Sequence, residues 1–269
     1  MREEFQSLGE LKDNPNPDHG GVEIVSNYPP PDVSSGFGPV LMNVIGKDDR
    51  VAVKNTKLFP FRCICLLEIV TEDGAKGVGT GWLVSPRTVI TAGHCVYVHD
   101  HGGKVAQITV IPASNGFAQK APFGKCVSTE FAWAHEWKRE KASNQDFGAI
   151  FLPEGCSFGE KLGYFGFSDL KDEDLERKSV SISGYPVDKN KVVKRQWYHE
   201  NLITEVEYFT LRHQVDTFKG HSGAPLWRVE DGKRFVIGIH TAGSNYANQA
   251  IRLNDRIFQQ IRDWKQAGM

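Results

Sequence analysis

The chain has 269 residues, enough for one large domain or two small lobes around a sizeable hydrophobic core. Its 32 Lys and Arg against 33 Asp and Glu leave a net charge of −1, which excludes a nucleic-acid binder that works through a surplus of basic residues. A 40% hydrophobic and 24% charged composition excludes wholesale disorder, and no apolar run approaches the roughly 18 residues of a membrane span.

Residues 1–43 stand apart. They hold the Pro-, Gly-, Asn- and Ser-rich stretches NPNPDHGG and NYPPPDVSSGFGP, with little periodicity, and read as an extended arm or removable leader. The first thirty residues carry no apolar core of a secretion signal, so an intracellular protein and a chain that begins after a removed signal both fit, and the compartment stays open. From about residue 51, short apolar or alternating runs recur between turn signals: CICLLEIV, GWLVS, TVITA, QITVIPA, FGAIFL, SVSISGY, FTLRHQV, APLWRV and FVIGIHTA. This spacing predicts an all-β barrel or sandwich. One helix closes the chain. Ile257, Ile261 and Trp264 fall at i, i+4 and i+7, Asn254 or Asp255 can cap it, and Gly268 follows as a stop.

The five cysteines are Cys63, Cys65, Cys95, Cys126 and Cys156. An odd number admits two disulfides and one thiol, or five thiols. Cys63 and Cys65 share a strand face and do not easily bridge each other, and C-x-C without a second Cys/His pair is not a zinc signature. Cys126 and Cys156 lack the context of nucleophiles and read as core or bridge residues. His99-Asp100-His101 reads as a solvated loop rather than a metal site. No metal and no cofactor are expected.

Three segments carry chemistry. Thr91-Ala92-Gly93-His94-Cys95-Val96 follows a strand-like run. Asn144-Gln145-Asp146-Phe147-Gly148 places an acid at the entry of another. Gly220-His221-Ser222-Gly223 sets a serine in a glycine-bracketed turn. Peptide hydrolysis by serine needs a base for the hydroxyl proton, an acid to hold the imidazole tautomer, and backbone N–H donors for the oxyanion. Each segment alone reads most simply as ordinary structure; the three together point to catalysis.

These segments resemble the chymotrypsin-fold serine proteases, in the glutamyl endopeptidase branch. The resemblance spans about residues 43–262 and rests on VIGKDDR with KNT following, GTGWLVSPRTVITAGHCVY, QDFGAI, SISGYPVDK, VDTFKGHSGAPLW and IGIHTAG. It implies two six-stranded antiparallel barrels with the site in the cleft between them: barrel one at about 55–152, barrel two at about 165–252, and the helix at about 254–267, within a protease domain of 44–269. It implies His94 as general base, Asp146 as its orienting acid, Ser222 as nucleophile, and Gly220 and Ser222 as oxyanion-hole amides. It also places a mature start near Asn43 or Val44, with an attached leader holding the enzyme in a low-activity state. The expected partner is a protein or peptide substrate of a monomeric enzyme, with neither nucleic acid nor membrane.

In this fold the residues five and six before the serine, Thr217 and Asp216, line the specificity pocket, and the strand carrying His240 and Thr241 forms another wall. A histidine in that strand meets the substrate carboxylate in glutamyl endopeptidases, and His240 matches it. An imidazolium donates a charge-assisted hydrogen bond to a carboxylate, and a threonine hydroxyl adds a neutral donor. Cleavage after Glu, with Asp second, is therefore expected. Asp216 pulls the other way, because trypsin-like enzymes use an acid at this offset to bind Arg or Lys; a Glu pocket requires Asp216 to be turned away or paired elsewhere. The remaining alternatives are a silent protein-binding pseudoprotease and an esterase with the same machinery. Two departures stand out. His221 replaces the acid which, in trypsin, pairs with a newly cut N-terminal amine. Gly79 stands where many relatives carry the cysteine that bridges to the one at Cys95, and that missing bridge favours a reducing compartment.

Overall fold

The computed structural model describes residues 44–116, 120–189, 194–244 and 246–269, with the backbone of two short strands before them, β1 (Arg2–Glu4) and β2 (Val22–Glu23). The expected leader otherwise lies outside the described residues. A third short strand, β3 (Val51–Val53), pairs with β2.

The first barrel contains β4 (Ile64–Thr71), β5 (Lys76–Leu83), β6 (Thr88–Thr91), the two-residue β7 (Tyr97–Val98), β8 (Gly103–Pro112), β9 (Cys126–Ser128), β10 (Glu130–Trp133) and β11 (Gly148–Phe151). Pairing runs β10-β11-β6-β5-β4-β8, with β9 on the far side of β8. Only Thr129 separates β9 from β10, so one bent strand joins both ends and closes a ring of six. β4 reads ICLLEIVT, a nearly unbroken apolar run, because it is flanked by β5 and β8 and covered on both faces.

The second barrel is β13 (Ser179–Gly184), β14 (Trp197–Val206), β15 (Thr210–His213), β16 (Pro225–Glu230), β17 (Lys233–Gly243) and β18 (Asn248–Arg252), preceded in the chain by β12 (Gly166–Asp169). The order β17-β16-β13-β14-β15-β18 closes through a β17–β18 pairing, again a ring of six. β12 lies outside that ring, parallel to β17, and β3 adds to β14. The barrel-or-sandwich choice is thus resolved as two antiparallel barrels, the fold the resemblance implied.

Cys126 and Cys156 form a disulfide with Cα atoms 6.3 Å apart, while Cys63, Cys65 and Cys95 are buried thiols. One bridge and three thiols is neither of the two arrangements expected, and it weakens the cysteine argument for a reducing compartment. Cys95 does lie against Gly79: a Cβ there would come within 2.8 Å of its sulfur.

The C-terminal helix, Asp255–Ala267, buries Ile257, Phe258, Ile261 and Trp264. Asn254 caps it by accepting the Ile257 N–H at 3.1 Å. Phe258 stacks on Phe167 of β12, with ring centroids 4.9 Å apart, and Trp264 on Phe147 beside barrel one, at 5.5 Å. The helix therefore clamps both barrels. Replacing the cap, Asn254→Ala, is expected to cost about 1 kcal/mol, and Ile261→Ala, which empties a fully buried site, about 2–5 kcal/mol. Urea unfolding with unchanged m-values measures both.

Candidate active site

The β6–β11 register builds one half of the site. Thr91 pairs with Gly148 in antiparallel sense, so the residues just after Thr91 face those just before Gly148. The chain leaving β6 turns into a four-residue helix, Gly93–Val96, which carries His94. The chain entering β11 carries Asp146, 6% exposed. One Asp146 oxygen accepts the His94 backbone N–H at 2.8 Å, and the other meets Nδ1 at 2.7 Å. With Nδ1 as donor, Nε2 is left without a proton and is the basic end of the ring. Burial works to depress the His94 pKa, but the charge and hydrogen bond of Asp146 outweigh it, and the net shift is upward from 6.5. Trp137, 6% exposed, packs beside this pair: a Cβ on Gly93 would meet both its ring and Asp146 at 2.9 Å. His99 donates to the Trp137 carbonyl at 2.8 Å, and His101 pairs with Asp73, so both histidines of the His99-Asp100-His101 triplet serve local structure.

The serine loop supplies the other half. Gly220 and Gly223 have φ of +99° and +85°, and a Cβ on either would come within 2.2 Å of a backbone carbonyl, so only glycine fits. Three amides of this loop are hydrogen-bonded: His221 to Phe218 O at 2.9 Å, Gly223 to His240 O at 2.7 Å, and Ala224 to His221 O at 2.8 Å. Ser222 is 7% exposed. Its carbonyl accepts the Thr80 N–H at 2.9 Å and lies 3.8 Å from the Cys95 sulfur, which brings the residue after His94 onto the serine loop. Thr80, which sequence reasoning passed over as an ordinary strand residue, also donates its hydroxyl to Gly220 O at 2.7 Å.

Beside this loop, β16 and β17 pair Pro225 with Ile239, so His240 lies opposite Ala224: its N–H donates to Ala224 O at 2.9 Å and its carbonyl accepts the Gly223 N–H. A register shift in the β17–β18 pairing falls at Thr241, 2% exposed. The His240 ring is fully buried, and neither nitrogen has a hydrogen-bond partner among the described residues. The Thr217 hydroxyl, also buried, has none either. A second buried histidine, His213 of β15, stacks on His240 at 5.5 Å between centroids, and its ring nitrogens are likewise without partners. Sequence reasoning missed His213; its only trace is a histidine on an apolar strand. Burial, then the neighbouring rings of His213, His221 and His94, hold the His240 pKa well below 6.5; the Gln249 backbone opposes this without reaching hydrogen-bond geometry. The His240 ring is therefore neutral in the free protein.

The Asp216 carboxylate accepts the Ile45 N–H at 2.7 Å and the Asp49 N–H at 3.0 Å. Asp216 is buried, as His240 and Thr217 are, but both of its oxygens already have donors. The Asp216 N–H donates to His199 Nδ1 at 2.8 Å, so that nitrogen carries no proton and its 3.5 Å approach to the Asp216 carboxylate is not an ion pair. Burial lowers the His199 pKa despite the adjacent acid, in accord with a neutral ring.

Paired closed barrels, a His–Asp pair at the edge of one and a glycine-bracketed serine at the edge of the other define a serine protease of the chymotrypsin fold. Residues 60–264 match the trypsin family, and the chain belongs to it. It is 36% identical over 234 residues to the glutamyl endopeptidase of Bacillus licheniformis, covering 84% of this chain and 70% of that protein. A Bacillus subtilis protein named extracellular metalloprotease is 34% identical over 224 residues, 82% of this chain and 69% of its own. Among solved structures, a Glu endopeptidase in complex with MPD aligns at a TM-score of 0.73 with 28% identity, covering 83% of this chain and 99% of that one. The chain is a serine endopeptidase.

Burying neutral histidines has a stability consequence. His213 and His221 are held down to about 3 by burial. Unfolded, each titrates near 6.5, so between about pH 6.5 and 3 the unfolded chain binds more protons. Their contribution is complete above pH 6.5 and is lost as pH falls through that window. The urea midpoint is expected to drop from pH 7 to pH 4, and His213→Phe should flatten that slope by about one proton. Equal slopes in variant and wild type would contradict a neutral, buried His213.

Proposed function

We propose that this endopeptidase cleaves peptide bonds after Glu, with Asp second, using His94 as general base, Asp146 to orient it, and Ser222 as nucleophile. The Gly220 and Ser222 amides receive the oxyanion. The observation that carries the acidic preference is the contrast between two sets of atoms. Asp216 is committed to the Ile45 and Asp49 amides, whereas His240 and Thr217 hold buried polar atoms without partners. A carboxylate entering there would satisfy both. A trypsin-like pocket for Arg or Lys would need the opposite, an Asp216 oxygen facing the substrate. The name of the B. subtilis relative raises a metal-dependent reading, but no three His, Cys, Asp or Glu converge among the described residues, so the ligand set does not fit such a group there.

On this reading the reaction has the following steps. His94 takes the Ser222 hydroxyl proton at Nε2 as oxygen attacks the scissile carbonyl, and Asp146 stabilises the imidazolium through Nδ1. The same proton then passes to the leaving amine. Water, activated by His94, releases the acyl group. Ser222→Ala or His94→Ala is expected to lower kcat by about six orders of magnitude in a folded protein, because base and nucleophile act as one unit. Since Asp146 raises the His94 pKa, the acid limb of kcat/KM should have its midpoint above 6.5, with activity falling below it.

The neutral His240 ring shapes specificity. A substrate carboxylate beside His240 favours the charged ring and opposes the burial that holds it neutral. Binding Glu should therefore take up a proton, and kcat/KM for Glu should fall relative to Gln as pH rises. His240→Ala is expected to reduce cleavage after Glu roughly 30- to 1,000-fold, the scale of removing a charged hydrogen-bond partner, and cleavage after neutral residues much less. Peptides differing only at the residue before the cut test both. Wild-type preference for Arg or Lys over Glu would overturn the acidic assignment.

A further inference from the structure

Asp216 sits beside Thr217, where an ionised carboxylate facing the pocket would repel the acidic side chain proposed to bind there. Its side chain is instead met by two backbone N–H donors from one short segment, Ile45 at 2.7 Å and Asp49 at 3.0 Å, one to each oxygen. Nothing local imposes this, since donors and acceptor are separated by 171 and 167 residues in sequence. The segment is anchored independently. Arg50, with a side chain 1% exposed, binds Asp48 beside it and Asp188 in the loop after β13, and Lys189 reaches Asp48 at 2.6 Å. That loop touches the serine loop, because Val187 N–H donates to Lys219 O at 2.8 Å.

We propose that Asp216 is a positioning residue: it latches the 45–49 segment against the substrate pocket, and the two amides it binds screen the one negative charge that would oppose a Glu side chain. The inference deepens the glutamyl reading and rests on it. The latch has two separable effects. It holds the 216–220 loop in place, which matters to every substrate. It also screens the charge of a carboxylate, which matters to acidic substrates alone. Amide N–H groups stabilise an anion through aligned dipoles, and removing one leaves the charge in place while weakening its screening.

The test separates the two. Ile45→Pro deletes one donor and keeps the Asp216 charge; Asp216→Asn deletes the charge and keeps one acceptor. Steady-state kinetics on matched Glu and Gln peptides, corrected to active-site concentration with a serine-directed reagent, report on both. In Ile45→Pro, kcat/KM for Glu should fall about tenfold more than for Gln. In Asp216→Asn, both should fall by a similar factor, with the Glu-to-Gln ratio of wild type. The double variant should recover that ratio, a rescue that a merely structural role would not produce. Hydrogen exchange at the Ile45 and Asp49 amides should speed up in Asp216→Asn, and this reads the latch even if Ile45→Pro folds poorly. Unchanged exchange, or an Asp216→Asn enzyme with wild-type kcat/KM on both peptides, would overturn the proposal. If the glutamyl reading itself fails, the wild-type profile shows it first, and Asp216→Asn then removes cleavage after Arg and Lys selectively.

Discussion

The site depends on one threonine. Thr80 lies on β5 of the first barrel, fully buried, and its N–H and hydroxyl are both used at the seam with the second. Its N–H donates to Ser222 O and its hydroxyl to Gly220 O, while that hydroxyl accepts the Tyr185 N–H at 3.1 Å. Its carbonyl accepts from Thr91, the last residue before the turn to His94, at 2.8 Å. Two glycines exist to accommodate it: a Cβ on Gly184 would lie 2.7 Å from its hydroxyl, and one on Gly223 would lie 2.2 Å from its carbonyl. The proposed base comes from one barrel and the proposed nucleophile from the other. Displacement of about 1 Å between such groups can cost on the order of a hundredfold in rate, so a rigid seam is a condition of the chemistry.

Around this seam the pocket keeps two histidines neutral. An imidazolium buried without a counter-ion would cost several kcal/mol, so His240 and His213 stay uncharged and their nitrogens wait without partners. On the proposed glutamyl reading, the charge needed for an acidic substrate is then created only when that substrate arrives with its own. This arrangement discriminates by loss as well as gain, because a neutral or basic side chain leaves the same buried atoms unsatisfied.

What could be read in the sequence was local. The helix was legible because Ile257, Ile261 and Trp264 mark one face and Asn254 caps it. The strands were legible as apolar runs between turn signals. His94, Asp146 and Ser222 stood out as candidates because a glycine lies within two residues of each, and the structure joins the first two. What was not legible depends on distant partners. The offset from Ser222 placed Asp216 correctly in the chain, but the direction of its side chain is set by amides more than 160 residues away. The Cys126–Cys156 bridge follows from barrel closure at β9, which no cysteine spacing encodes. Thr80 and His213 looked like ordinary strand residues because the partners that give them meaning lie on other strands.

The residue before the serine shows how these long-range choices fit together. In trypsin an acid there holds the oxyanion loop through an ion pair with a chain terminus. Here His221 holds the loop without charge: its Nδ1 accepts the Phe218 N–H at 3.1 Å, and burial keeps the ring neutral. An acid at that position would lie near Arg50, but Arg50 already has two carboxylate partners, Asp48 and Asp188, and needs no third. Beyond that histidine, Arg50, Lys189, Asp48 and Asp188 form a cluster in which two positive charges meet two negative ones. A balanced cluster contributes little net field at the pocket, whereas a lone aspartate beside the serine would place a negative charge near an arriving carboxylate. On the proposed glutamyl reading, the histidine at 221 and the capping of the acid at 216 therefore answer the same constraint, which is that a pocket for an anionic side chain must have no uncompensated anion in its walls.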